Sequence, residues 1–70
     1  MKQTIAKRLR ELRGSKRQKE VAAGIGIRLD RYESYERGER EPSVTILMRL
    51  KEYYNLPSVD LLLKQNSYET

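Results

Sequence analysis

Apolar residues recur at helical spacing along nearly the whole chain, but only in short runs, because Gly14, Gly26, Gly38, Pro42 and Pro57 interrupt them. That segmentation restricts the chain to several short helices joined by tight turns, and no stretch alternates as a half-buried strand would. Ile5, Leu9 and Leu12 form an i, i+4, i+7 stripe, which predicts a first helix over about 3–13, ended by Gly14. Ser15 and Gln18 have capping-box spacing and predict a second helix over 16–24, with Val21, Ala22 and Ile25 turned inward. Gly26 breaks it, Ile27 points back to the core, and a third helix follows over 28–36, closed by Gly38. Pro42 and Ser43 open a fourth over 43–54, with Val44, Leu47, Leu50 and Tyr54 as its stripe. Ser58 caps a short fifth helix over 58–64. The expectation is an all-α, compact five-helix bundle, with residues 1–64 forming one domain and 65–70 a flexible tail that has nothing to bury.

Seventy residues support one small core, worth roughly 3–5 kcal/mol in a domain of this size, and leave no room for a deep catalytic pocket. The chain has neither Cys nor His, so disulfides, zinc ligation and the usual general base at neutral pH are all missing. No catalytic residue, metal or cofactor is expected. The carboxylates Glu36, Glu39 and Glu41 sit among arginines and suggest no active site. No apolar run approaches the roughly 18 residues of a membrane span, and the start MKQTIAKRLRE lacks the apolar core of a signal peptide. The expected setting is the reducing cytoplasm, without a membrane partner.

The net charge of +5 is unevenly distributed. Residues 1–19 hold eight basic side chains against Glu11 alone, which puts +7 there and −2 on the remainder. Such concentration suits a polyanionic partner, whose association a positive potential accelerates, although a solvated helix face carries similar charge.

The second and third segments, with Ala22, Ala23 and Gly24 crowding the end of one and a Gly-containing turn before the next, have the pattern of a helix-turn-helix over about 16–36. Over residues 5–63 the chain resembles the Cro and CI repressor type of helix-turn-helix domain, the XRE family. The resemblance rests on I-x-x-R-L-R-x-L-R from Ile5, Gln18 opening the second helix, V-A-x-x-I-G-I across the turn, and Y-E-R-G-x-R-x-P-S from Tyr35 to Ser43. It implies a lambda-repressor-like fold, a sequence-specific regulator of transcription, a repressor of bacterial or mobile-element origin, and a homodimer on double-stranded DNA with an inverted-repeat operator.

The resemblance also implies roles for individual residues. Leu29, Asp30, Glu33 and Ser34 fall on the base-reading positions of the third helix. Gln18, Arg28, Arg37 and Arg40 fall on phosphate-holding positions, to which Lys16, Arg17, Lys19 and Arg31 add charge. Arg13 and Glu36 fall on a structural ion pair. Arg17 and Arg28 stand where the family carries a capping Ser or Thr, so the second helix is expected to begin at Ser15 and the third to draw on Asp30. Gly24 costs about 1 kcal/mol against Ala unless close packing on Tyr32 offsets it.

Some alternatives remain open in the residues themselves. Arg37 and Arg40 can instead pair with Glu33 and Glu36 at helical spacing. Leu61, Leu62 and Leu63 exceed what one buried face absorbs and are assigned to dimerisation, though all three can also be core. Asp30 and Glu33 on a DNA-facing helix admit a second functional class, a protein-interaction module such as an antitoxin or anti-repressor partner, and a regulatory partner protein fits either class.

Overall fold

The computed structural model describes residues 2–63, and the side chains from residue 5 onward. The expected tail over 65–70 lies outside the described residues. Five helices follow one another: α1 (Lys2–Arg13), α2 (Gln18–Gly24), α3 (Leu29–Glu36), α4 (Val44–Tyr53) and α5 (Asp60–Leu63). There is no strand among the described residues.

The core collects Ile5, Ala6 and Leu9 from α1, Val21 and Ala22 from α2, Tyr32 and Tyr35 from α3, Ile46 and Leu50 from α4, and Leu62 from α5, with Ile25 from the α2–α3 turn. α3 packs against both α1 and α2, while α5 lies on α1. Leu62 is the residue that α5 buries.

Gly26 (φ +73°) and Gly38 (φ +76°) take the left-handed conformation that ends α2 and α3. At the first, Ile27 N–H reaches Ala22 O at 3.0 Å and Gly26 N–H reaches Ala23 O at 3.2 Å. At the second, Glu39 N–H bonds Ser34 O and Gly38 N–H bonds Tyr35 O in the same pattern. Asn55 (φ +57°) closes α4 likewise, with Leu56 N–H on Lys51 O at 2.8 Å.

Four sequence expectations need correction. The second helix starts at Gln18, not 16, and Ser15 does not cap it: Arg17 is the N-cap residue and makes no side-chain cap bond. On α4, Val44 is 75% exposed, and the stripe is set by Ile46 and Leu50. Ser43 Oγ accepts from Ile46 N–H at 3.2 Å and makes Val44 the first helical residue, about 200° around the helix from Ile46. The neighbour of Gly24 is Tyr53 rather than Tyr32: a Cβ at Gly24 would overlap the Tyr53 ring. The short last helix begins at Asp60, whose N–H bonds Ser58 Oγ at 3.1 Å.

Candidate nucleic-acid interface

α3 is held by a buried carboxylate. Glu36 is 3% exposed and accepts four hydrogen bonds: from Arg13 Nε at 2.7 Å and Nη2 at 3.1 Å, from Gln18 Nε2 at 3.0 Å, and from Tyr32 Oη at 2.6 Å. These donors come from the end of α1, the start of α2 and α3 itself. Arg13 Nη1 also donates to Lys16 O at 2.9 Å, and Arg10 donates to the main-chain oxygen of Glu36. Burial alone would push the Glu36 carboxyl up, but the donors, Arg13 foremost, outweigh it and hold it below its ordinary value. The same hydrogen bond with Glu36 raises Arg13, and burial first, then Glu36, pushes the Tyr32 phenol well up. Tyr54 lies beside this group with a buried hydroxyl that has no hydrogen-bond partner among the described residues, and burial pushes it up to about 12.

The opposite face of α3 is open. Leu29, Asp30, Arg31 and Arg37 are exposed, and Glu33 and Ser34 are half-buried. A groove of about 250 Å³ runs along it, lined by Arg28, Asp30, Arg31, Ser34, Arg37 and Arg40. A depression of about 340 Å³ at Gly26, Ile27, Arg28 and Arg31 adjoins it over the turn between the two helices. Four guanidinium groups thus surround an exposed helix face, an arrangement that attracts a chain of phosphates. Lys16, Arg17 and Lys19 are exposed at the start of α2 but stand outside the lining of that groove.

The partners of individual side chains refine the sequence reading. Asp30 is engaged by Arg28 at 3.2 Å and by Arg31 N–H at 3.0 Å, so it supports the first turn of α3. Ser34 Oγ donates to Arg31 O at 2.7 Å and presents only lone pairs outward. Arg37 binds Glu39 at 3.1 Å rather than Glu33, and Glu36 is turned inward, so neither helical-spacing alternative for Arg37 and Arg40 forms. Gln18 was expected in a capping box with Ser15 and at a phosphate; its amide instead gives one N–H to Glu36 and keeps the second. On α5, Leu62 is fully buried and unavailable to a partner, whereas Leu61 and Leu63 are 37% and 41% exposed. Arg10 and Glu39 were missed. Arg10 lies one turn before Arg13 on the same edge of α1, a spacing that reveals it, while Glu39 depends on the chain reversal at Gly38.

A helix pair joined by a glycine turn, with the second helix pinned from beneath and presented among arginines, defines a helix-turn-helix domain. The profile of the helix-turn-helix family matches residues 7–61. A curated relative, the transcriptional repressor RstR of the cryptic phage CTXphi from Vibrio cholerae, is 32% identical over 60 residues, which cover 83% of this chain and 54% of the relative. The chain therefore spans about half the length of that relative. No solved structure matches the chain. The chain belongs to the helix-turn-helix family, XRE type, a family of DNA-binding transcriptional regulators. No helix among the described residues is long and apolar enough to cross a membrane.

Proposed function

We propose that this chain is a transcriptional repressor that binds double-stranded DNA as a homodimer, inserting α3 of each copy into the major groove of an inverted-repeat operator. The observation that carries the reading is the arginine-lined groove along the exposed face of α3. Under this reading Leu29, Asp30, Glu33 and Ser34 face the bases, and of these Asp30 and Ser34 line the groove itself. Arg28, Arg31, Arg37 and Arg40 hold phosphates, joined by Lys16, Arg17 and Lys19 and by the second N–H of Gln18. Arg28 and Arg37 keep guanidinium N–H groups beyond those bound to Asp30 and Glu39, so each can meet a phosphate while its surface pair stays in place. Residues 1–64 act as one DNA-binding domain in the cytoplasm, associated with the nucleoid. Leu61 and Leu63, rather than all three leucines, supply the dimer contact. Regulation comes through dimerisation, abundance or a partner protein.

The protein-interaction alternative leaned on two acidic side chains opposing DNA. Pairing of Asp30 with Arg28 at 3.2 Å reduces that opposition to Glu33 alone, which favours the DNA reading. Fluorescence anisotropy of the full chain with a labelled mixed-sequence duplex tests it. The expected result is binding at low salt that weakens linearly in log–log form, with a slope of about −0.9 per neutralised phosphate. Absence of binding at low salt would overturn it.

A further inference from the structure

The exposed face of α3 presents hydrogen-bond acceptors and one apolar side chain, while the charged donors lining the groove beside it are all arginines. We propose that this face selects, in each half-site, a cytosine amino group through Glu33 and a thymine methyl group through Leu29; the inference rests on the reading of α3 as a major-groove helix.

Glu33 is the acceptor left over. Its carboxylate makes no hydrogen bond and no ion pair among the described residues, because Arg37, its partner at helical spacing, is held by Glu39 at 3.1 Å. An unpaired carboxylate in the major groove is repelled by the acceptor edges of guanine and by thymine O4, and it is satisfied by cytosine N4–H. Ser34 reinforces this polarity, since its proton already goes to Arg31 O at 2.7 Å. Asp30 contributes little, because Arg28 and the Arg31 amide occupy it. Leu29 is 39% exposed on the first turn and has only apolar surface to offer, which in the major groove means the thymine C5-methyl. Leu29 and Glu33 are one helical turn apart, roughly 5–6 Å at Cβ. With about 3.4 Å between successive bases of a strand, their targets fall one or two base pairs apart.

The test uses the full chain and a pool of randomised duplexes, from which bound sequences are selected for the wild type, Glu33→Gln and Leu29→Ala. Leu29 is exposed and Glu33 half-buried, and neither belongs to the core, which both substitutions leave untouched. The wild type is expected to select a cytosine and a thymine at that separation in each half-site. Glu33→Gln is expected to exchange the C·G preference for A·T at the same position. Replacing the selected thymine by uracil, which removes only the methyl, is expected to weaken wild-type binding about fourfold and to leave Leu29→Ala unaffected. A Glu33→Gln motif identical to that of the wild type, or indifference of the wild type to uracil, overturns the inference. A wild type that selects no motif removes the DNA reading as well, whereas a motif without the cytosine–thymine pair removes this inference alone.

Discussion

Arg13 and Glu36 meet in a two-pronged ion pair, Nε to Oε2 at 2.7 Å and Nη2 to Oε1 at 3.1 Å, which ties the end of α1 to the end of α3. The pair does not stand alone, since Gln18 and Tyr32 complete the acceptor capacity of the same carboxylate. The helix proposed to meet DNA with its outer face is thereby tied to α1 and α2 by a group on its inner face.

Glu36→Ala is expected to unfold the domain or soften it severely. Removal of one partner from a buried pair leaves the other charge uncompensated, at a cost of roughly 3–5 kcal/mol. That approaches the whole stability of a domain this small. A melting curve within a degree or two of the wild type would show that the network is dispensable.

Stability should fall on acidification through Glu36. Its carboxyl is held below its ordinary value of 4.5 in the folded state, so its contribution is complete above that value. The contribution is lost as pH drops through the lower folded value, where the carboxylate takes up a proton. Urea denaturation across the acid range should show this loss in the wild type. It should be smaller in Glu36→Gln, which starts less stable and cannot titrate there.

Much of this scaffold was legible in the chain. The stripe of Ile5 and Leu9 and the turns at Gly26 and Gly38 follow from local spacing and backbone freedom, which a sequence displays directly. The Arg13–Glu36 pairing was legible only through resemblance, because 23 residues separate the partners and no periodicity links them. Val44 misled because it continues an apolar spacing that belongs to Ile46 and Leu50 once Ser43 has set where the helix starts. The attachment of Arg37 to Glu39 was hidden because it forms only after Gly38 reverses the chain. It is also what leaves Glu33 unpaired among the described residues, so the feature that sharpens the proposed base-reading face was the one spacing rules do not reach.

Gly24→Ala should destabilise the protein despite alanine's better helix propensity. The added Cβ would overlap the Tyr53 ring, which itself packs edge-on against Tyr54 with centroids 4.9 Å apart. Overpacking of this kind costs roughly 1–3 kcal/mol, against a propensity gain of about 1 kcal/mol. A lowered denaturation midpoint is expected, and a raised one would mean that Tyr53 swings aside freely.

The double substitution Leu61→Lys and Leu63→Lys should convert a self-associating protein to a monomer in sedimentation at high concentration. DNA affinity should fall with it, while the melting temperature should hardly move, because the core residue Leu62 is retained. An unchanged sedimentation profile would place the dimer contact elsewhere.

Arg40→Ala should weaken binding to all duplexes alike and reduce the magnitude of the salt slope by about 0.9 per copy, hence about 1.8 for the dimer. Arg40 lines the groove and has no ion-pair partner among the described residues. A change in base preference instead would assign Arg40 to base reading.

The central claim, that α3 enters the major groove, is tested most directly by dimethyl sulfate footprinting on a duplex selected by the wild-type chain. Guanine N7 lies in the major groove and adenine N3 in the minor groove. Guanine N7 is expected to be protected in two patches about one helical turn apart, with adenine N3 left reactive between them. Protection of adenine N3 with guanine N7 still open would contradict it.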